Sequence, residues 1–340
     1  MVLWQSSPSS NTDLRVERVR QEKIRTILAV RNDRFGEFLL NIPALRALKE
    51  TYPQARLIVA LDPYVKELTP YIPAIDETLD WKAGRRHSLR ERLGMLRLLK
   101  EKNIDAAIML NPSQEFNILT FLAGIPVRVG YDRKWGFLLT HKIKDEKYLG
   151  IKHEIEYNLD LVGLIGARTR DLSLSLKIVD PAPLPFKGLD DSDFVIVHPW
   201  TSDIVKQWPF EYFQILVRKI IEGCKIKVLI VGGKDNLLKS RQLFSRFGAG
   251  LVNLTGQTSL RQLAVLLSKS RLLISQDSGP MHLGCAAGTP VIAIFRSGLA
   301  AKSSRRWGPW GKNKLVIEKT SLSDIKVDQV LEVVKLKLAK

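Results

Sequence analysis

The chain is poor in cysteine, with only Cys224 and Cys285 among 340 residues. Two thiols so far apart provide neither a disulfide framework nor a Cys-based zinc site, and a reducing cytosol suits them best. Long apolar runs are missing as well. None approaches the ~18–20 residues that a spanning helix needs, so any membrane contact is expected from the side. The first eleven residues are polar and Ser-rich without an apolar core, and do not read as a signal peptide. Glycine is scarce where a dinucleotide enzyme needs it. The turn Arg31-Asn-Asp-Arg-Phe-Gly-Glu37 holds one glycine where the fingerprint has three, which disfavours NAD. No cluster of ligating side chains points to a metal, and no cofactor is expected. Acids are the under-represented charge, 35 Asp and Glu against 53 Lys and Arg, for a net charge of +18. That excess favours anionic partners: nucleic acid, a phospholipid surface or a phosphorylated substrate.

What is present is ordinary globular material, 45% hydrophobic and 26% charged, with a length suited to about two domains. Short β-branched runs alternate with helical patterns. Strands are expected at 26–30, 56–61, 104–110, 127–130, 194–198, 227–231, 251–254, 271–275 and 291–295. Helices are expected near 37–50, 63–71, 88–102, 115–123, 210–222, 236–247, 260–268 and 280–287. Such alternation predicts a parallel sheet covered on both faces, and it occurs twice. Asp180-Pro-Ala-Pro-Leu-Pro-Phe186 separates the two runs, because its prolines fit neither helix nor central strand. The expected organisation is a polar lead over 1–23, a first domain over 24–180, a linker over 181–186 and a second domain over 187–340. A last helix near 323–338 could pack on either domain, the first included. The fold class is α/β, two Rossmann-like domains facing across a cleft, with ligands beyond the C-terminal strand ends.

Four strand ends carry the candidate chemistry. Asp33 and Glu37 follow the first strand, and Glu37 reads either as a complement to the helix dipole or as a catalytic acid or base. Thr201, Ser202 and Lys206 follow His198-Pro and precede Trp208-Pro209. Hydroxyls and an ammonium suit phosphate oxygens, although turn residues and a solvated lysine would look the same. Gly232-Gly-Lys-Asp235-Asn236 lets backbone approach a ligand, or else Asp235 or Asn236 caps the next helix. The densest signal is Ser275-Gln-Asp277-Ser278-Gly279-Pro280-Met-His282, ending at Gly288-Thr-Pro290. Amides at Ser278 and Gly279 opening a helix make an anion site fit for a diphosphate, and His282 can point at the same anion.

Two further segments are basic. Residues 85–102 hold seven cations, Arg85, Arg86, Arg90 and Arg97 among them, with Leu89, Leu93, Leu96 and Leu99 on one helical face. This is a solvated amphipathic helix, or a contact for a phosphate-rich acceptor or an anionic membrane. Residues 302–312, with Arg305, Arg306, Trp307 and Trp310, form a basic loop with interleaved aromatics, the pattern of a nucleic-acid platform. No recognised nucleic-acid motif accompanies it.

Taken together these segments resemble glycosyltransferase family 9, the ADP-heptose:lipopolysaccharide heptosyltransferases, over about residues 24–338. The motifs run in order: Arg31-x-Asp-Arg-x-Gly-Glu37 through Pro43-Ala-Leu-Arg-Ala-Leu-Lys49, then Arg128-Val-Gly130, then His198-Pro to Lys206-x-Trp-Pro209, then Asp277-Ser-Gly-Pro-Met-His282 with Gly288-Thr-Pro290 and Trp307-Gly-Pro309. The resemblance implies a GT-B fold and an inverting transfer that requires no metal. It also implies an ADP-heptose donor held mainly by the second domain, and a lipid A–Kdo acceptor at the inner leaflet of the cytoplasmic membrane. Thr201, Ser202 and Lys206 would then contact the donor diphosphate. Asp277, Ser278, Gly279 and His282 would hold donor phosphates and sugar, and Asp235 and Asn236 would lie near the nucleoside. The family usually places Asp where this chain has Glu37, so the catalytic base keeps its carboxylate one methylene further out, with Asp33 as fallback. The usual Asp-Thr-Gly reads Asp-Ser-Gly here. At a helix start Glu37 is expected to have a low pKa, which opposes base function until the cleft dehydrates it. The rival expectations are transfer from another nucleotide sugar or to another acceptor, a family member that binds nucleotide sugar without turnover, and a nucleic-acid binder.

Overall fold

The computed structural model describes residues 24–179, 182–184 and 193–339. The polar lead 1–23 and most of the Pro-rich segment lie outside the described residues. Among the described residues twelve strands form two six-stranded sheets. The first contains β1 (Thr26–Val30), β2 (Arg56–Leu61), β3 (Glu77–Asp80), β4 (Ala106–Met109), β5 (Val127–Tyr131) and β6 (His141–Ile143), in the order β3-β2-β1-β4-β5-β6. The second contains β7 (Phe194–His198), β8 (Lys227–Ile230), β9 (Leu251–Asn253), β10 (Leu272–Gln276), β11 (Val291–Arg296) and β12 (Lys314–Lys319), in the order β12-β11-β10-β7-β8-β9. Neighbours pair in parallel, as between β1 and β4 and between β7 and β10. Helices cover both faces, so the central strands are apolar almost throughout and Ile27–Val30, Ala106–Met109 and Phe194–Val197 are buried.

The strand order reverses between β1 and β4 in one sheet and between β7 and β10 in the other. Those are the switch points where crevices open beyond the strand ends. The turns after β1, β7 and β10 carry most of the candidate residues, so topology alone gathers them at two crevices.

Nine strands were legible as apolar runs. The other three, β3 (ETLD), β6 (HKI) and β12 (KLVIEK), each lie at a sheet edge; β3 and β6 are short and polar, as edge strands that discourage pairing with other chains are, while β12 sets Leu315-Val316-Ile317 between charged ends. The helix expected over 37–50 is two helices, Phe35–Leu39 and Ile42–Thr51. Asn41 divides them, its amide donating to the carbonyls of Glu37 (2.7 Å) and Phe38 (3.2 Å). The segment Pro63–Tyr71 is 3-10 in character with Pro70 inside it. A helix at Glu154–Gly163 was not anticipated. It starts on His153, which is not among the ordinary capping residues.

The helix Leu89–Glu101 corrects the predicted apolar face. Met95 and Leu99 are buried, but Leu89 and Leu93 stand 72% and 55% exposed. The last helix, Val327–Leu338, packs Val330 and Val334 into the layer formed by Val217 and Ile220 of the helix Phe210–Cys224, beside the second sheet. Trp208 is fully buried below it and donates its indole N–H to the Ile325 carbonyl (3.0 Å).

The two sheets share one continuous apolar core, which includes Phe38 and Leu45 from the first and Met281 and Leu283 from the second. The two halves approach closely between the helices Phe35–Leu39 and Gly279–Ala287. A Cβ at Gly36 would stand 2.8 Å from Gly279 Cα, and one at Gly279 would stand 2.3 Å from the Phe35 ring. Glycine at both positions lets the backbones meet. The chain before the linker threads the same seam, with Leu176 N–H donating to Ala286 O and Lys177 N–H to Tyr71 O, both at 2.9 Å.

Candidate active site

On the first-sheet side, a cavity of about 310 Å³ lies beyond β1 and β4 and is lined by Asp33, Glu37, Asn111 and Pro112 among others. Glu37 is the third residue of its short helix, and Arg34 Nη2 lies 2.7 Å from its Oε1. Burial, followed by the negative charge of Asp33, pushes the Glu37 carboxyl above its ordinary value against the pull of Arg34 and Arg31. This corrects the expectation of a low pKa. A five-residue helix has little dipole to offer, and desolvation outweighs it. Asp33 is held by the buried Arg31, whose Nε lies 2.7 Å from Asp33 Oδ1.

Arg31 also belongs to a second group that the sequence did not single out. Glu154, 1% exposed, receives Lys147 Nζ at 2.6 Å, Arg31 Nη1 at 3.5 Å and Arg306 Nη2 at 2.9 Å. Burial would raise the Glu154 carboxyl, yet Lys147, Arg31 and Arg306 together hold it below its ordinary value. Burial pulls Lys147 down to about 8, although Glu154 opposes the change. Glu154, Lys147, Arg306 and the ion pair Arg133–Asp145 (2.6 Å) all line the cavity.

On the second-sheet side, Lys206 ends the turn Ile204–Lys206 and pairs with Asp277. Burial raises the Asp277 carboxyl, and Lys206 opposes it. Ser278 does not cap its helix. Its hydroxyl is 2.9 Å from Ser275 Oγ and 3.2 Å from Nδ1 of the buried His198, which leaves the helix-start amides without a side-chain cap. Gly288, at φ +83°, stops that helix as expected. His282 is 3% exposed, lies near Gly36, and its Nδ1 has no hydrogen-bond partner among the described residues. An orphaned buried nitrogen at an uncapped helix start is the feature of this side that points to a ligand.

The remaining candidates separate. Thr201 Oγ1 accepts the Asp203 amide (3.3 Å), as a turn residue does, and Ser202 is exposed in the same loop. Asp235 and Asn236 lie in the turn Lys234–Asn236, and Asn236 makes no side-chain cap. Burial, Glu67 and Asp235 raise the phenol of Tyr64, in the segment Pro63–Tyr71. Arg85, Arg86, Arg90 and Arg97 are exposed and none lines the cavity; Arg85 pairs with Glu91 at 2.6 Å. Arg128 has a bracing role, donating from Nε to Leu138 O (2.8 Å).

Burial pulls both His198 and His282 down to about 3 from an ordinary 6.5. Each is neutral when folded and would take up a proton once exposed. The unfolded chain therefore binds more protons between those two values, and stability is lost as pH falls through that window. We expect the melting temperature to drop between about pH 7 and about pH 5, and the drop to shrink in the double variant His198→Asn/His282→Asn. A pH-independent melting temperature would contradict the neutral buried pair.

The family model described as glycosyltransferase family 9 (heptosyltransferase) matches residues 92–332, more than half of the chain. Lipopolysaccharide heptosyltransferase 2 of Salmonella typhimurium is 26% identical over 302 residues, covering 79% of this chain and 82% of that one. Among solved structures, E. coli ADP-heptose lps heptosyltransferase II aligns with a TM-score of 0.78 at 20% identity, covering 92% of this chain and 98% of that one. E. coli heptosyltransferase WaaC with ADP-2-deoxy-2-fluoro heptose aligns with a TM-score of 0.73 at 19% identity, covering 92% and 99%. These likenesses make the two-sheet architecture a GT-B fold. With the family model spanning both sheets, the chain belongs to glycosyltransferase family 9 and is a glycosyltransferase.

Proposed function

We propose that the chain moves heptose from ADP-heptose to a lipid A–Kdo acceptor of the lipopolysaccharide inner core, by single displacement with inversion and without a required metal. The observation that carries this reading is the seam itself. Gly36 and Gly279 meet, which sets the short helix carrying Glu37, its carboxyl raised by burial, directly against the uncapped helix start beside His282. The relatives that transfer heptose support the donor class, as does the WaaC structure with an ADP-heptose analogue.

In this mechanism the residues 24–180 take the acceptor and 187–340 take the donor. Glu37 accepts the proton of an acceptor hydroxyl, and that oxygen attacks the anomeric carbon opposite the leaving ADP. A raised pKa suits a base that must bind a proton in the transition state, and Asp33 beside it helps to set that value. Lys206 and the amides of Ser278 and Gly279 offset the charge growing on the diphosphate, with Thr201 and Ser202 completing its cradle. His282, being neutral, contributes a hydrogen bond rather than a positive charge. Asp277 orients Lys206 and takes sugar hydroxyls. Asp235 and Asn236 border the nucleoside.

Calorimetric titration with ADP-heptose, ADP, UDP and GDP tests the donor side. ADP ligands should bind best, and Lys206→Ala should weaken them about tenfold or more, as loss of a charge-assisted contact does. Preference for UDP or GDP would overturn the heptose assignment.

The protein is further proposed to act in the cytoplasm at the inner leaflet. Among the described residues no helix is long and apolar enough to cross a membrane. The exposed Leu89 and Leu93 stand among Arg85, Arg86, Arg90 and Arg97, an apolar and cationic pairing that suits an anionic bilayer. Co-sedimentation with vesicles should rise with phosphatidylglycerol content and fall in Leu89→Ser/Leu93→Ser. Binding indifferent to lipid charge would remove this contact from the account.

A further inference from the structure

The basic, aromatic segment 302–312 reads in isolation as a platform for nucleic acid, and the structure gives it another place. Arg306 and Trp310 are turned onto the first half of the chain, where Trp310 donates its indole N–H to Leu172 O (2.7 Å). Arg306, whose side chain is 13% exposed, donates from Nε (3.0 Å) and Nη2 (2.9 Å) to Glu154 Oε2, and from Nη1 to the Lys147 carbonyl (3.0 Å). Trp307 lines the cavity and donates its indole N–H to Ala301 O (2.9 Å). The backbones touch as well, since a Cβ at Gly150 would stand 2.0 Å from Ala300 O. At its other end the segment holds the loop after β7. Lys302 Nζ lies 2.6 Å from Asp203 Oδ2, and the Asp203 amide donates to Thr201 Oγ1.

These contacts form one unbroken path. It runs from Thr201 through Asp203 and Lys302 along the segment to Arg306, then through Glu154 and Arg31 to Asp33. We propose that this segment couples the two substrate positions: it builds one wall of the acceptor cavity from the donor-binding half, with Arg306 as a positioning residue for the acceptor. The proposal rests on the assignment of acceptor and donor given above. Its physical content is that Arg306 fixes Glu154, Lys147 and Trp307 in the cavity wall, and that Lys302 ties this wall to the loop gripping the donor diphosphate. An acceptor therefore meets a complete cavity only when the donor loop is in place.

Steady-state kinetics on the full chain, with ADP-heptose and heptose-deficient lipopolysaccharide, together with donor calorimetry, provide the test. Arg306→Gln should raise the acceptor KM about tenfold, a size typical of coupling between sites, and leave the donor Kd within about twofold. Arg306→Lys should fall between, because an ammonium replaces the charge but not the planar fork. Lys302→Ala removes a surface ion pair of little structural value, and should raise the acceptor KM at saturating donor while the melting temperature holds. This second variant keeps the proposal open to refutation should Arg306→Gln fail to fold. An acceptor KM unchanged in Lys302→Ala and in any folded Arg306 variant would overturn the coupling. So would donor Kd and acceptor KM rising together with a fall in melting temperature, which marks a merely structural role. If the unaltered chain transfers no heptose, the assignment of donor and acceptor fails instead, and the two failures are distinguishable.

Discussion

Glu37→Gln should lower kcat by about two to three orders of magnitude, the range expected for loss of a general base. The substitution exchanges one oxygen for an amide nitrogen and keeps the side chain's length. It leaves Lys206, Ser278 and Gly279 untouched, so ADP-heptose affinity should remain within about twofold of the unaltered chain's. The pH profile carries the same information with a sign. Because the carboxyl sits above its ordinary value, the acid limb of kcat/KM should appear at higher pH than a solvated glutamate would give. Asp33→Asn removes the neighbouring negative charge that helps raise it, so the limb should move to lower pH. A limb that stays in place in Asp33→Asn would contradict the pairing.

The second large effect is on stability. Glu154→Ala removes the carboxylate shared by Lys147, Arg306 and Arg31; Arg31 keeps Asp33, but the largely buried charges of Lys147 and Arg306 lose the carboxylate they pair with. Breaking a buried ion cluster by removing one member costs about 3–5 kcal/mol, well above what an exposed pair is worth. Denaturant melts of the two proteins at neutral pH would read this as a lower midpoint. Arg85→Ala, which breaks a surface pair with Glu91, should leave the midpoint essentially unchanged. Equal midpoints for Glu154→Ala and the unaltered chain would show that the cluster is better solvated than its burial indicates.

Both effects turn on residues of unequal visibility in the sequence. Glu37 is visible because it follows a strand and a glycine, and strand ends are where parallel sheets bind ligands. Asp277 to His282 is visible for the same reason, with Pro280 near its helix start and Gly288 at its stop. Glu154 is not. It opens a helix capped by His153, and its partners Arg31, Lys147 and Arg306 are scattered over 276 positions of chain, 31 to 306. Nothing local marks a residue whose role comes from meeting distant charges. Arg306 was visible only as part of a basic loop, and its neighbours Trp307 and Trp310 made that loop resemble an exposed platform. The edge strands β3 and β6 escaped for a simpler reason, since they are short and carry polar residues that a central strand would not tolerate; the apolar Leu315-Val316-Ile317 of β12 was a signal that the charged residues around it masked. Burial also reversed one inference made from local geometry, since the helix start that should acidify Glu37 is outweighed by desolvation.

The most direct test of heptosyl transfer with Glu37 as base is product analysis. The chain and its Glu37→Gln variant are each incubated with ADP-heptose and heptose-deficient lipopolysaccharide, and the glycolipid is read by mass spectrometry with ADP release followed in parallel. One heptosyl addition with matching ADP release is expected for the unaltered chain, and bound donor with almost no product for the variant. Equal product from both, or donor bound by the unaltered chain with no heptose transferred, would contradict heptosyl transfer with Glu37 as base.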